Sequence, residues 1–418
     1  MNRVLIGAYA CEPNQGSEPG VGWHWALEAA NTGFEVWVVT RANNREAIEE
    51  AITKIDAPTP HFEYLDLPRP LRWLKAHLGH PGLVAYYYLW QLALARRARR
   101  LHRHLRFDVT HHVTFVNDSL PSGLCLVPVP FVWGPIGGST HRLPRRIRLD
   151  LPLGARIHEL GRTSMQFLLL HFDPFVALTR RRASLILPYT REAQQGLPKK
   201  SRPPSKAILH LGVSENDPPP RPSRLDKPDE DFVVLTGGRL VHWKGYDVLI
   251  EGFATFMAME RDMPSRLLIT GEGPFEKHLR TLVARHGLDE SVRFLGRLPG
   301  RREVFELMSR CHLYALPTFR DGPPFALLEA MAVGVPVLCL DLGATAETIP
   351  SKASLKITAT SRQTIVTSIA EALAWTASNP EKAVALGQAG RRYAVQHYEW
   401  SRLRTEIRQC YVEVTSKS

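Results

Sequence analysis

The residues of this chain best suited to chemistry are two acids and two cations set in turns. Asp321 and Glu329 stand eight positions apart, with Gly322-Pro323-Pro324 after the first and an apolar run from Phe325 to Ala332 carrying the second. Gly334 ends that run, and Pro336-Val337-Leu338-Cys339-Leu340 reads as the next strand. The pattern predicts a loop entering a helix N-terminus, where amides without intrahelical partners can face an anion. A proline just inside the helix start suits that reading, because its missing N–H has no intrahelical partner there. Glu329 then lies about one turn in, and Asp321 overhangs the start. Taken singly, Glu329 is also a helix-start glutamate favoured by the macrodipole, and Asp321 a loop acid. A second turn shifts that balance. Val233-Val234-Leu235-Thr236 runs into Gly237-Gly238-Arg239-Leu240-Val241-His242-Trp243-Lys244-Gly245, and a helix begins near Tyr246. Arg239, with its fork, and Lys244, as a point charge, could clamp a diphosphate. The acids could hold hydroxyls on either side of it, which is what a sugar nucleotide needs.

Parallel doubly wound sheets are the elements that would position such turns, since strands and helices alternate throughout. Strands are expected near 4–9, 35–39, 62–65, 109–112, 131–133, 185–187 and 207–209, with an amphipathic helix near 21–30. The second half gives strands near 233–236, 266–269, 292–295, 313–316 and 337–340. A Pro-rich stretch around Asp217-Pro218-Pro219-Pro220 separates the halves. The chain therefore reads as an α/β protein: a domain over 1–212, a linker over 213–230 and a second Rossmann-like domain over 231–397. Two such domains would face a cleft, with ligands at the carboxyl ends of the strands.

Composition agrees. A length of 418 residues and 44% hydrophobic content fill two sizeable cores. Five scattered cysteines (Cys11, Cys125, Cys311, Cys339, Cys410) form neither a zinc spacing nor a disulfide framework, and read as buried thiols of a reducing compartment. The start, Val4-Leu5-Ile6-Gly7-Ala8-Tyr9-Ala10, reads as a strand rather than a leader, and no apolar run approaches the ~20 residues of a membrane span. A cytoplasmic location is the expectation. The net charge of +12 is lopsided, with 27 Lys and Arg against 17 Asp and Glu in residues 1–215. Its densest part is the stretch 89–106, supported by Arg145-Arg146-Ile147-Arg148 and Arg180-Arg181-Arg182. No nucleic-acid module accompanies it. The alternatives are a solvated face and an anionic membrane surface on the inner side of the cell membrane.

The blocks Gly237-Gly238-Arg239-Leu240, Lys244-Gly245-Tyr246-Asp247, Gly271-Glu272-Gly273-Pro274, Phe294-Leu295-Gly296 and the spaced acids resemble, in order and spacing, the family 4 retaining glycosyltransferases of the GT-B fold, the glycosyl transferases group 1. The resemblance covers the C-terminal half and is looser before it. It implies that Arg239 and Lys244 hold a donor diphosphate, that Glu329 binds ribose hydroxyls and that Asp321 contacts the transferred sugar. It also implies donor contacts from Gly238, Gly271, Gly322, Pro324, Phe325 and Ala326, and from the backbone of Arg297 beside the base. The loop Gly16-x3-Gly20-x-Gly22 fails as a dinucleotide fingerprint. It resembles the family's glycine-rich N-terminal loop, so Gly16 joins the donor set; the alternative is a tight turn before a helix. Gly134-Pro135-Ile136-Gly137-Gly138 resembles an acceptor-bordering segment in some members, and His112 is the histidine best placed to touch a sugar. A terminal helix over 398–418 would return to the first domain. The chain departs from the pattern at Asp321, where Glu is commoner, at Pro323 and Pro324, and in the partial loop Gly343-Ala344-Thr345-Ala346-Glu347.

The resemblance implies a retaining transfer from a nucleotide-sugar donor to a glycan or lipid-linked acceptor in surface polysaccharide synthesis. Cofactors are expected to be none: the nucleotide sugar is a co-substrate, and two cations stand where a metal would serve. The alternatives are a non-catalytic sugar-nucleotide-binding protein and another GT-B enzyme such as a sugar-nucleotide epimerase.

Overall fold

A computed structural model describes residues 2–115, 117–137, 143–198, 203–208, 212–213, 231–259, 263–320, 322 and 324–416, without the side chains of Leu74, Ala76 and His80. Its twelve strands are β1 (Arg3–Gly7), β2 (Glu35–Thr40), β3 (His61–Tyr64), β4 (Val109–His112), β5 (Phe131–Ile136), β6 (Leu185–Pro188), β7 (Phe232–Gly237), β8 (Ser265–Thr270), β9 (Val292–Gly296), β10 (Leu313–Leu316), β11 (Val337–Leu340) and β12 (Leu355–Ile357). They make two six-stranded parallel sheets, ordered β3-β2-β1-β4-β5-β6 and β12-β11-β10-β7-β8-β9. Each is the doubly wound order 3-2-1-4-5-6 counted from its own first strand, so the two halves share one topology. The chain divides into two compact units, one of residues Met1–Thr140, Gly161–Leu211 and Trp400–Ser418, the other of His141–Leu160 and Gly212–Glu399.

Both sheets are covered by helices, which is why β1, β5, β10 and β11 are near-continuous apolar runs rather than alternating ones, and why β4, Val-Thr-His-His, is buried at every position. Capping fixes several helix starts. Asp173 accepts from the amides of Phe175 and Val176, both at 2.8 Å, with Pro174 in the first turn. Ser361 does the same for Arg362–Ser378. In the first unit Tyr9, Trp90, Leu94, Phe131 and Trp133 pack in one core. The helix Trp400–Ser416 lies on this unit: Tyr411 O–H meets His111 Nδ1 at 2.8 Å, and Arg404 pairs with Glu28 at 2.8 Å. All five cysteines are buried, and none is in a disulfide. Among the described residues no helix is long and apolar enough to cross a membrane.

Two local expectations change, and the basic stretch gains a buried side. No strand forms over 207–209 among its described residues. The approach is a single bridge at Ser205, and Ile208 donates to the Pro188 carbonyl at 2.9 Å; Pro203 and Pro204 have no N–H to extend a ladder. The three-residue edge strand β12 was not anticipated. The basic stretch 89–106 belongs to the helix Gly79–Leu105, whose inner face buries Tyr86, Tyr87, Trp90, Leu94 and Ala98. Of its arginines, Arg97 pairs with Glu63 and Arg99 donates to the Leu126 carbonyl at 2.8 Å. Its other face, with Arg96, Arg99, Arg100 and Arg103, is exposed.

Candidate active site

In the second unit β7 pairs with β10, and the chain leaves this pair in opposite directions across the sheet. Such a reversal of strand order opens a crevice at the carboxyl ends. The loop after β7 carries Gly238, Arg239 and Lys244. The segment after β10 carries Gly322, Pro324, Phe325, Ala326 and Glu329. Gly271 follows β8, and Arg297 follows β9. Every described donor-side residue of this unit therefore sits at one edge of one sheet. Asp321 lies outside the described residues.

The loops are held by backbone, which explains their glycines. Gly238 N–H bonds to the Thr270 carbonyl at 3.1 Å, and Leu240 N–H to the Glu272 carbonyl at 2.9 Å. Gly271 has φ +104°, and a Cβ there would stand 2.0 Å from the Gly238 carbonyl oxygen. Gly245, at φ +72°, approaches the Pro317 carbonyl equally closely. Phe319 N–H bonds to the Trp243 carbonyl at 2.9 Å, so the loops after β7 and β10 are joined directly. Arg239 and Arg297 are exposed and Lys244 half-buried.

The helix carrying the acid runs Phe325–Val333, with Pro324 at its N-cap rather than inside it. The amides of Phe325, Ala326 and Leu327 thus begin the helix with no carbonyl a turn earlier to meet. Glu329 is not a lone carboxylate: Arg301 Nε pairs with its Oε1 at 3.2 Å, both side chains largely covered. Arg301 also lies over the Phe305 ring, 4.8 Å from its centroid. Sequence reading passed over Arg301, although it opens the helix Arg301–Arg310 directly after Gly300.

A buried acid missed in the sequence braces both loops. Glu159, 2% exposed, receives His242 Nε2 at 2.9 Å on Oε1 and an Arg320 guanidinium N–H on Oε2. His242 belongs to the turn that ends at Lys244, and Arg320 immediately precedes Asp321. Arg320 further covers the Trp243 ring at 4.6 Å. Donor atoms of His158, Glu159 and His242 fall within 4.8 Å of one another, a grouping that could hold a metal by ligand type. The Arg320 cation on Glu159 already supplies positive charge there. Of the chain's one Asp-x-Asp triplet, Asp229-Glu230-Asp231, only Asp231 is among the described residues; it directly precedes β7 and pairs with Arg266 at 2.5 Å.

In the first unit Gly16 lies in the loop after β1, His112 ends β4, Gly134 lies within β5 and Gly137 directly follows it. Gly16 caps the helix Ser17–Ala30 in extended backbone, with nothing within 4 Å of where a Cβ would stand. Its neighbours carry the close approaches: a Cβ on Gly20 or Gly22 would meet the Gln15 or Ala10 carbonyl oxygen at 2.1 and 2.0 Å. Positive φ falls on Asn14 and Ser17 instead. His112 ends β4 and is 2% exposed; burial pushes it down to about 4, against backbone groups of Phe115 and Thr114. Burial pushes its neighbour His111 down to about 3, against its bond to the Gly134 carbonyl. In the neutral ring Nε2–H donates to that carbonyl at 2.7 Å, and Nδ1 accepts from Tyr411. Gly134 therefore serves the packing of β4, β5 and the last helix. Gly137 has no room for a side chain, since a Cβ would stand 2.4 Å from the Tyr189 ring. Gly138 lies outside the described residues.

Comparison with known proteins gives a family match over part of the chain. Residues 220–393 match the model of the glycosyl transferases group 1. The putative colanic acid biosynthesis glycosyltransferase WcaL of Escherichia coli (strain K12) is 30% identical over 213 residues, 49% of this chain and 51% of that protein. A GDP-mannose-dependent alpha-(1-6)-phosphatidylinositol monomannoside mannosyltransferase of Mycolicibacterium smegmatis is 30% identical over 215 residues, 47% of this chain and 54% of that protein. The chain spans about half the length of these curated relatives. Among solved structures, sucrose-phosphate synthase from Thermosynechococcus elongatus aligns with a TM-score of 0.67 at 16% identity, covering 100% of both chains. Anabaena HepE in complex with UDP and glucose aligns at 0.61 and 17%, again over 100% of both. At such identities the likeness is one of fold, and that fold is GT-B.

Proposed function

We propose that this chain, whose residues 220–393 match the glycosyl transferases group 1, moves a sugar from a nucleotide-sugar donor to a saccharide acceptor with retention of configuration and without a metal. The observation that carries the reading is the meeting of the β7 and β10 loops at one sheet edge, with Arg239 and Lys244 on one and the Phe325 helix start and Glu329 on the other. In this reading Glu329, oriented by Arg301, holds the ribose. Arg239, Lys244 and the first amides of Phe325–Val333 hold the diphosphate, and Asp321 the sugar. As the glycosyl–phosphate bond breaks, negative charge grows on the leaving diphosphate, and these positive groups stabilise it more than the ground state. The departing phosphate oxygen takes the acceptor's proton, so the reaction needs no strong protein base.

The acceptor in this reading is a glycan or lipid-linked saccharide of surface polysaccharide synthesis, in keeping with the colanic acid name of one relative, and is met at an anionic membrane surface. Several relatives are named as GDP-mannose-dependent, whereas the UDP-bound HepE is related in fold alone. GDP-mannose is accordingly the first donor to try. The test is to incubate purified protein with GDP-, UDP-, ADP- and dTDP-sugars and follow melting temperature and slow hydrolysis. One donor should raise the midpoint and be cleaved slowly; if all stay intact and none shifts the midpoint, the enzymatic reading is wrong.

A further inference from the structure

Two histidines and a buried acid converge where the site loops are braced. His158 and Glu159 are neighbours on the helix Leu153–Phe172, and His242 opens the turn His242–Lys244 after β7. All three belong to the second compact unit. Glu159 Oε1 lies 2.9 Å from His242 Nε2 and 3.8 Å from His158 Nδ1. Ligand atoms of a tetrahedral zinc ion stand about 3.4 Å from one another, so these two separations bracket what one ion needs. The three ligand atoms all fall within 4.8 Å. Closing the remaining gap falls to His158, whose side chain is 59% exposed. The Trp243 ring walls the group: His242 meets it edge-on at 4.8 Å, and His158 lies parallel to it at 6.4 Å. The two imidazole planes are 82° apart, with centroids at 5.6 Å. A hydrogen bond accounts for His242; a second imidazole nitrogen beside the same oxygen makes a ligand set.

Chemistry selects the ion. Two imidazole nitrogens and one carboxylate oxygen suit zinc and its first-row neighbours, whereas Mg²⁺ and Ca²⁺ take six or more oxygens. Arg320 does not occupy the place. Its guanidinium bonds the other carboxylate oxygen, Oε2, and a hydrogen-bonded outer oxygen orients a ligating carboxylate. It does share the negative charge, so the ion is held exchangeably. We propose that His158, Glu159 and His242 bind an exchangeable Zn²⁺, with water in the fourth position, and that the ion stiffens the turn leading to Lys244. His242 then presents the Nε2 lone pair, with its ring proton on Nδ1, and exchanges a hydrogen bond for a shared ion. The ion takes no part in the transfer. The inference therefore goes beyond the metal-free reading above, and zinc binding requires neither donor nor turnover.

The experiment uses the full chain, stripped with EDTA and desalted. Titration with ZnCl2 is followed by calorimetry and by melting midpoint, with MgCl2 as the control. At about 100-fold excess over the zinc Kd the midpoint should rise by about 5–10 °C, while MgCl2 leaves it unchanged. Co²⁺ in place of zinc should give the intense visible absorption of a tetrahedral site. His158→Ala should weaken zinc binding at least about tenfold, since loss of even an outer partner costs that much. It should leave the ion-free midpoint nearly unchanged, because that side chain is exposed. His242→Gln keeps a side-chain N–H for Glu159, removes the imidazole and should weaken zinc binding similarly. The proposal is overturned if the stripped parent binds zinc no better than magnesium, or if Co²⁺ gives only the weak spectrum of an octahedral ion. It is also overturned if both variants bind zinc as the parent does, which would place the ion on other histidines. A parent that binds zinc through these residues yet releases no nucleoside diphosphate from any donor would count against the transferase reading alone.

Discussion

Replacing Glu159 by Gln keeps the shape of the side chain and removes its charge. The carboxylate is 2% exposed and holds Arg320, whose side chain is 9% exposed, and His242 at 2.9 Å. The substitution leaves a covered guanidinium without its counter-charge. Breaking a buried pair from one side costs about 3–5 kcal/mol. With a loss of ~3 kcal/mol and about 2–4 °C per kcal/mol for a unit of this size, the melting midpoint should fall by about 6–12 °C. Because the same carboxylate anchors the turn carrying Lys244 and the residue before Asp321, donor KM should rise and turnover fall even well below the new midpoint. Replacing both Glu159 and Arg320 by Leu should recover part of the stability lost by Glu159→Leu alone, since neither charge is then orphaned. Differential scanning fluorimetry with donor-hydrolysis kinetics reads both effects. A Glu159→Gln protein that melts within ~1 °C of the parent and keeps its KM would refute the bracing role.

Other substitutions separate the parts of the site. Arg239→Ala should lower kcat/KM by about 10²–10³-fold while leaving the melting midpoint nearly unchanged, because Arg239 is exposed; a matching fall in stability would assign it to the fold. Arg301→Ala should raise donor KM about fivefold, the equivalent of ~1 kcal/mol for a partly covered pair, with less effect on kcat. An unchanged KM would show that Glu329 is positioned without it. Stability of the first unit should depend on acid through His111 and His112, which burial holds at about 3 and about 4 in the folded chain. Both depressed values mean that unfolding takes up protons. The stabilisation is thus complete above the unfolded value of about 6.5 and is lost as pH falls from there towards 3, at ~1.4 kcal/mol per pH unit for each ring once well below 6.5. Denaturation curves from pH 7 to 5 should show this decline, and His111→Asn should flatten it.

Much of this was legible in the chain because it rests on local pattern. Apolar runs such as Val233-Val234-Leu235 and Val337-Leu338-Cys339-Leu340, each followed by turn residues and a helix, mark doubly wound sheets. The glycines at 238, 245 and 271 are intelligible as close approaches of backbone to backbone. Long-range side-chain contacts were not legible: Glu159 meets residues 83 and 161 positions away, and no period in the sequence announces that. The helix Leu153–Phe172 was passed over for a related reason. Its apolar spacing looks like a core face, and only the structure shows that the face points outward. The arginine-rich stretch 89–106 drew attention by charge, while Tyr86, Trp90, Leu94 and Ala98, at four-residue spacing, already described its buried side.

The central claim is that Arg239 and Lys244 supply the positive charge for breaking a sugar–diphosphate bond. Nucleoside diphosphate release from GDP-mannose and UDP-glucose, measured in excess EDTA for the parent and for Arg239→Ala combined with Lys244→Ala, tests it most directly. The parent should release product from one donor at a rate indifferent to the chelator, and the double substitution should abolish that release. Activity that vanishes with EDTA, or that survives the loss of both cations, would contradict it.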